Sequence, residues 1–453
     1  MVKNVKTIIL ITFGGLISIA ILIIISNLLI KASDKDIIFT DTFAPVVVKC
    51  EEFDINSLFS QTNEVLSVAT KYSALYKNDI NRKMIVFSTQ VRENKDENFL
   101  LFDNKLYEND DGSYRTNNIE FNMLFTQNKI EMQRNSYSSP RFNIILDGKK
   151  ELKKEIGCNT IYGKMNEFIN YSQILDNVDA NIILGYNGML MELNFNEIYN
   201  KNEIDMELDI EGFKYLNDAA GYVQILKNDY KIGIIYQGII TDGETYFLSK
   251  VKIKDKNGKK YINIDLSGLP FVIDSSVTLN LHFDFYSDKM FFDTSVYKSS
   301  ANTNCLLNNV TIFDTLNEKN EGYTYYKYNI KSFTPKDSTK LDSLFFNFYV
   351  MAVTDSVDIE IYKVNRDWCS WTINWNDKPS YGAKIGEFTI SETGWHEIEL
   401  TEYAKHLIDN NYDKLENNSI MFKIKDGSKG YVMAASADNA YKPPYFVVNY
   451  RVS

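Results

Sequence analysis

The sequence predicts a mainly β protein, with an N-terminal transmembrane helix, a central all-β region and a C-terminal jelly-roll-like β-sandwich. Three observations lead there. Residues 8–30 are an uncharged apolar run, the only one of that length. From residue 84 onward, short apolar segments of period two alternate with turn dipeptides at roughly the eight-to-twelve-residue spacing of an all-β chain. The composition, 14% aromatic with 30 Tyr and 28 Phe, suits pleated, half-buried surfaces better than helices.

The apolar run comes first. At about 1.5 Å per residue in a helix it spans a hydrocarbon core of about 30 Å. Lys3 and Lys6 precede it, and Lys31 and Lys35 follow, interleaved with Asp34 and Asp36. The near-balance of lysines is tipped by the N-terminal amine and the long following region towards N-in, C-out. A cleaved signal peptide ending after Ala32 is the weaker reading, because the run is too long and Ile30 does not fit the small-residue cleavage pattern. The expectation is an uncleaved single-pass anchor in the cell membrane, with everything after it extracellular. The expected divisions are 1–33 for cytoplasmic tip and anchor, 34–80 for a linker and helix, 81–287 for a β-rich domain and 288–453 for the sandwich.

Between residues 55 and 76, Leu58, Phe59, Val65, Leu66, Val68, Ala69, Tyr72, Leu75 and Tyr76 recur at helical spacing, which predicts a helix. The period then becomes two. Strands are expected at 84–87, 99–102, 119–125, 142–146, 180–184 and 189–195. Asp110-Asp111-Gly112, Asp147-Gly148, Asn187-Gly188, Asp242-Gly243 and Asn257-Gly258 are hairpin-type turns. A boundary is expected at 286–288. Beyond it, strands are predicted at 292–297, 323–328, 343–350, 356–364, 384–390, 395–400, 419–425 and 445–452. A short helix at 402–410 places Tyr403, Leu407 and Ile408 on one face. Eight antiparallel strands in this span suit a jelly roll, which closes most of its edges by pairing.

Charge and motif usage narrow the function. A net charge of −11 without a basic aromatic stripe argues against a nucleic-acid partner. Cys50, Cys158, Cys305 and Cys369 form neither a CxxC motif nor a disulfide framework and read as isolated thiols, with pairing left open. His282, His396 and His406 are far apart, and His396, alternating beside Trp395 and Glu397, reads as a solvent-face residue. No nucleophile elbow, phosphate loop or metal motif is present, so no catalytic residue is assigned and the chain reads as non-enzymatic, with a glycan hydrolase using two of its 60 carboxylates as the third and weakest reading. All four tryptophans lie between Trp368 and Trp395. Trp371, Ile373 and Trp375 alternate like one strand face, which places Trp375 in a core. Trp368, ahead of that strand, and Trp395, opening another, are each either core or exposed.

These C-terminal motifs resemble the DNRLRE-type domain, a carbohydrate-binding-module-like β-sandwich of bacterial surface proteins. The likeness is carried by Phe292-Asp293-Thr294-Ser295-Val296, Tyr325-Tyr326-Lys327-Tyr328-Asn329-Ile330 and Leu344-Phe345-Phe346-Asn347-Phe348-Tyr349-Val350, followed by Ile361-Tyr362-Lys363-Val364. It continues in Trp368 with Thr372-Ile373-Asn374-Trp375-Asn376-Asp377-Lys378-Pro379, in Gly394-Trp395-His396-Glu397-Ile398-Glu399-Leu400-Thr401, and in Pro443-Pro444-Tyr445-Phe446-Val447-Val448-Asn449-Tyr450. Upstream, Ile85-Val86-Phe87-Ser88 to Asp103-Asn104-Lys105-Leu106, the stretch from Phe168 to Leu193, and Leu269-Pro270-Phe271-Val272-Ile273-Asp274-Ser275-Ser276-Val277 resemble wall-associated Rhs/YD-repeat proteins more loosely. The chain has no YD repeats.

The resemblance implies a surface protein that binds polysaccharide or cell-wall glycan without catalysis. Trp368 and Trp395 are its expected stacking platforms, with Asn376, Asp377 and Arg366 hydrogen-bonding sugar hydroxyls. No cofactor is expected. A structural calcium held by Asp293 with Asp438 is weighed against Asp293 simply capping a turn. The second reading is a structural or adhesive surface protein that acts through protein–protein contacts.

Overall fold

The computed structural model describes residues 47–452 apart from internal segments, those of four residues or more being 51–64, 88–91, 135–140, 286–290, 302–309, 315–320 and 369–372. The expected anchor at residues 8–30 lies outside the described residues. Among those described, no helix is long and apolar enough to cross a membrane.

The chain builds two bodies of paired antiparallel sheets. In the first, an eight-stranded sheet runs from Val251–Lys256 through Lys259–Asp265, Glu203–Asp209 and Arg141–Ile145 to Tyr107–Glu108. It faces a ten-stranded sheet ordered Glu151–Thr160, Gly163–Leu175, Val178–Leu184, Gly188–Phe195, Thr278–Phe285, Tyr230–Ile235 and onward to Lys214–Asn217. Period-two alternation directs Ile144, Met206, Ile262, Ile182, Met191 and Leu281 into one shared core. The Asn257-Gly258 turn behaves as its composition demands. Both residues have positive φ, 53° and 77°, and they join Lys256 to its cross-strand partner Lys259. Strands expected at 180–184 and 189–195 appear as Val178–Leu184 and Gly188–Phe195, paired in register from Leu184↔Met189.

The second body is a sandwich. Its five-stranded sheet is ordered Phe291–Tyr297, Gly322–Tyr328, Asn418–Ile424, Val357–Val364 and Tyr381–Ile390. The facing sheet centres on the 13-residue strand Leu341–Val353, flanked by Gly394–Glu399 and Tyr445–Arg451. Leu344, Phe346, Phe348 and Val350 point inward to meet Tyr326, Ile359 and Phe422. Phe346 lies 5.1 Å from Tyr326 and 5.0 Å from Phe446, ring centre to ring centre, and such pairs add about 0.5–1.5 kcal/mol each beyond burial. The helix Thr401–Asn411 closes one end, burying Tyr403, Leu407 and Ile408 as its periodicity predicts.

The region assigned to a linker and helix behaves differently. Val65–Ala69 and Ser73–Asn78 are strands, so the helix is absent over those residues; residues 51–64 lie outside the description. With Asn81–Phe87 they extend the sandwich sheet beyond Tyr445–Arg451, with Val86 opposite Phe446. On the other flank Val47–Cys50 pairs with Gly394–Glu399. Asn81–Phe87 therefore belongs to the C-terminal sheet and not to the middle one. The helical spacing misleads because both faces of this sheet bury apolar side chains. Val86 enters the sandwich core, while Ala74, Tyr76, Ile85 and Phe87 join an outer cluster with Trp395 and Tyr445.

The two bodies touch through their sheet faces. Phe168, Ile183, Leu190 and Ile239 of the ten-stranded sheet pack on Met351, Ala352, Met433 and Tyr441 of the sandwich. The Tyr441 hydroxyl donates to the Ile183 carbonyl at 3.3 Å, and its ring meets His282 edge-on at 5.4 Å.

Candidate functional site

The tryptophan-rich segment folds back over the outer face of the five-stranded sheet. Its two ends are tied where the Asn365 amide donates to the Ser380 carbonyl at 3.0 Å. Asn374 Oδ1 accepts from the amides of Asn376 (2.9 Å) and Asp377 (3.1 Å), and this Asx turn replaces the strand expected through Trp375. Trp371 lies outside the described residues.

Within this frame Trp368 and Trp395 both take the core alternative. Trp368 is buried among Val296, Tyr325, Ile373 and Met421, its indole N–H donating to Ser419 Oγ at 3.0 Å. Trp395 is 1% exposed, held between Tyr349 and Tyr445. Neither presents a free ring face, which corrects their expected role as stacking platforms. The reason is nonlocal: the sheet that buries Trp395 is completed by residues more than three hundred positions earlier. Trp375, expected in the core, is partly buried, packed against the edge of the cluster that holds Trp368.

Trp375 sits 5.0 Å from the Tyr323 ring. Tyr381 stands edge-on to Tyr323 at 5.9 Å and lies 4.7 Å from Tyr362. The ammonium of Lys378 lies 3.7 Å from the Trp375 ring centre and donates to the Trp375 carbonyl at 3.0 Å. Burial against these rings lowers the Lys378 pKa, and the nearby Lys298 charge adds to that effect. Burial also raises the Tyr323 pKa, helped by its hydrogen bond to Glu321, so the phenol stays a neutral donor.

The remaining expected ligand residues surround this cluster. Asn376 and Asp377 are exposed beside Trp375, and the exposed Arg366 donates through Nη2 to the Asp377 carbonyl at 2.5 Å. Arg366 thus braces the turn. Tyr323, Tyr362, Tyr381 and Lys378 were not singled out from sequence. Tyrosines alternating along neighbouring strands were the available signal, but only the register makes them one patch.

Asp293 is buried within the strand Phe291–Tyr297, and its Oδ1 accepts the Ala437 amide at 3.1 Å, a long-range bond and not the cap of a local turn. Asp438 lies outside the described residues. Among those described, no group of three or more His, Cys, Asp or Glu is placed to hold a metal ion. His396, read as a solvent-face residue, is buried, with Nε2 3.0 Å from the Glu392 carbonyl and its ring stacked on Phe348.

Residues 285–450 match the model of carbohydrate-binding module family 96. The C-terminal body is therefore carbohydrate-binding-module-like, and the family is one of non-catalytic binding modules. No curated protein matches the chain. Among solved structures, a likeness exists to a β-porphyranase of glycoside hydrolase family 86 from the human gut bacterium Bacteroides plebeius, at 11% identity and a TM-score of 0.13. It covers 64% of this chain and 40% of that one, so the chain spans less than half of that enzyme's length.

Proposed function

We propose that the C-terminal sandwich binds a polysaccharide or cell-wall glycan through the outer face of its five-stranded sheet, without catalysis, on a chain held at the cell surface by its N-terminal apolar run. The observation that carries this is the partly exposed Trp375 in a cluster of tyrosines, on the body that matches a carbohydrate-binding family. An indole edge or face meets the C–H side of a pyranose, while nearby amides and hydroxyls satisfy its polar rim. Asn376 and Asp377 are the adjacent hydrogen-bonding groups. A DNRLRE-type assignment and kinship of the upstream body to wall-associated Rhs/YD-repeat proteins belong to the same reading.

The test is a glycan array probed with the wild-type chain and Trp375→Ala. Retention on at least one glycan, lost in the variant while the melting temperature holds, supports the reading. Equal retention by both chains ends it. The second reading, a structural or adhesive surface protein, draws weight from the burial of Trp368 and Trp395, since two of the four indoles serve as core. It predicts no array signal from either chain.

A further inference from the structure

Next to the Trp375 cluster, the outer face of the five-stranded sheet carries one row of side chains in strict register. Tyr323 faces Lys423 across the strands, Lys423 faces Glu360, and Glu360 faces Glu387. The row crosses four strands, and at about 4.8 Å per strand it runs ~14 Å away from the aromatic end. Its charges are already linked. Lys384 donates to Glu360 Oε1 at 2.9 Å and to Glu387 Oε2 at 2.5 Å, and the Tyr362 hydroxyl donates to Glu360 Oε2 at 2.8 Å. Lys423 pairs with Asp426 at 3.0 Å and Lys425 with Glu387 at 3.2 Å. Burial works against the Lys384 charge, but the hydrogen bonds to Glu387 and Glu360 outweigh it and raise its pKa.

Tyr323, Lys423 and Glu360 are largely buried, and Glu387 and Lys384 are the members that reach solvent. Holding such a row costs side-chain entropy and desolvation, and ion pairs at its open end return little stability. Its solvent-reaching end, with the Lys384 ammonium held against the Glu387 carboxylate, does offer a hydroxyl-rich ligand both a donor and an acceptor in preset positions. We infer that this row is a second binding segment, which takes the continuation of a glycan chain whose first unit rests at Trp375. The site would thus recognise an internal stretch of polysaccharide several units long, not a chain end or a single sugar. This inference rests on the glycan reading of the Trp375 cluster.

The experiment is titration calorimetry of the full chain against a size series, two to six units, of β-1,4-linked gluco-, manno- and xylo-oligosaccharides, and of uronate oligosaccharides of the same lengths. Wild type, Trp375→Ala, Glu387→Ala and Lys384→Met are compared. Wild-type affinity should rise with length in at least one series. Glu387→Ala and Lys384→Met should lose about tenfold on the longest member, the effect of one charge-assisted hydrogen bond, and little on the shortest. Trp375→Ala should lose all lengths. Glu387 is exposed, so its variant keeps the test open if Lys384→Met fails to fold. If Trp375→Ala abolishes binding but affinity is flat with length, or both row variants bind every length like wild type, the second segment is wrong and the first stands. Binding of no series by wild type, or full binding by Trp375→Ala, overturns the glycan reading itself.

Discussion

The ammonium of Lys378 lies over the Trp375 indole, 3.7 Å from its centre, so the one partly exposed tryptophan among the described residues is covered by its own neighbour three residues on. A cation over an aromatic face at an open site is worth about 0.5–1 kcal/mol. That is little enough for a ligand ring to displace.

Lys378→Ala should therefore expose the indole and tighten binding of an uncharged glycan by about two- to fivefold, the fold-change equivalent to that contact. Calorimetric titration of the variant reads this directly. Weaker binding would mean that Lys378 itself contacts the sugar.

Trp395→Ala and Trp375→Ala should separate stability from binding. Trp395 is 1% exposed, and its truncation should cost about 3–5 kcal/mol, lowering the melting temperature by roughly 6–20 °C. Trp375→Ala should shift melting by only a few degrees, as expected for about 1 kcal/mol. A scanning calorimeter distinguishes them, and equal losses would contradict the difference in burial.

Acid should loosen the contact between the two bodies. His282 is fully buried between Tyr236 and Tyr441, and burial lowers its imidazole pKa from 6.5 to about 3. The folded chain thus holds this histidine neutral while the unfolded chain protonates it. Stability is fully present above pH 6.5 and falls as pH drops towards 3, by up to about 1.4 kcal/mol per pH unit. Glu192 on the same sheet acts oppositely. Burial raises its carboxyl pKa despite hydrogen bonds from Asn181 and Asn194, so its contribution declines as pH rises through the carboxylate range. Denaturant midpoints from pH 7 to pH 5 should fall for wild type and stay flatter for His282→Gln.

The strands flanking the sandwich should prove indispensable to it. A fragment starting at residue 285 opens both Gly394–Glu399 and Tyr445–Arg451 to solvent, because Val47–Cys50 and Asn81–Phe87 pair with them in the whole chain. Open apolar edges pair with whatever is at hand. The fragment should elute as oligomers or aggregates on gel filtration, whereas a chain retaining residues 41–453 should not. A monomeric, cooperatively melting fragment would show that the added strands are dispensable. Within the full chain, Val86→Asp should destabilise by several kcal/mol, since an unpaired charge would enter the core at a fully buried position.

Local pattern was enough to fix the β class, the pairing of Val178–Leu184 with Gly188–Phe195, the hairpin at Asn257-Gly258, the C-terminal strands and the face of the 401–411 helix, because each depends on side-chain period and turn chemistry within a few residues. Strand partnership was beyond it. The segment from Val65 to Phe87 reads as helix and separate domain until Tyr445–Arg451 arrives, some 360 positions later, to pair with it. The same nonlocal closure sealed Trp395, and the Asx turn at Asn374 left Trp375 at the edge of its core cluster, partly buried. A period of two says which residues share a face; only the assembled sheets decide whether that face meets water, another sheet or a ligand.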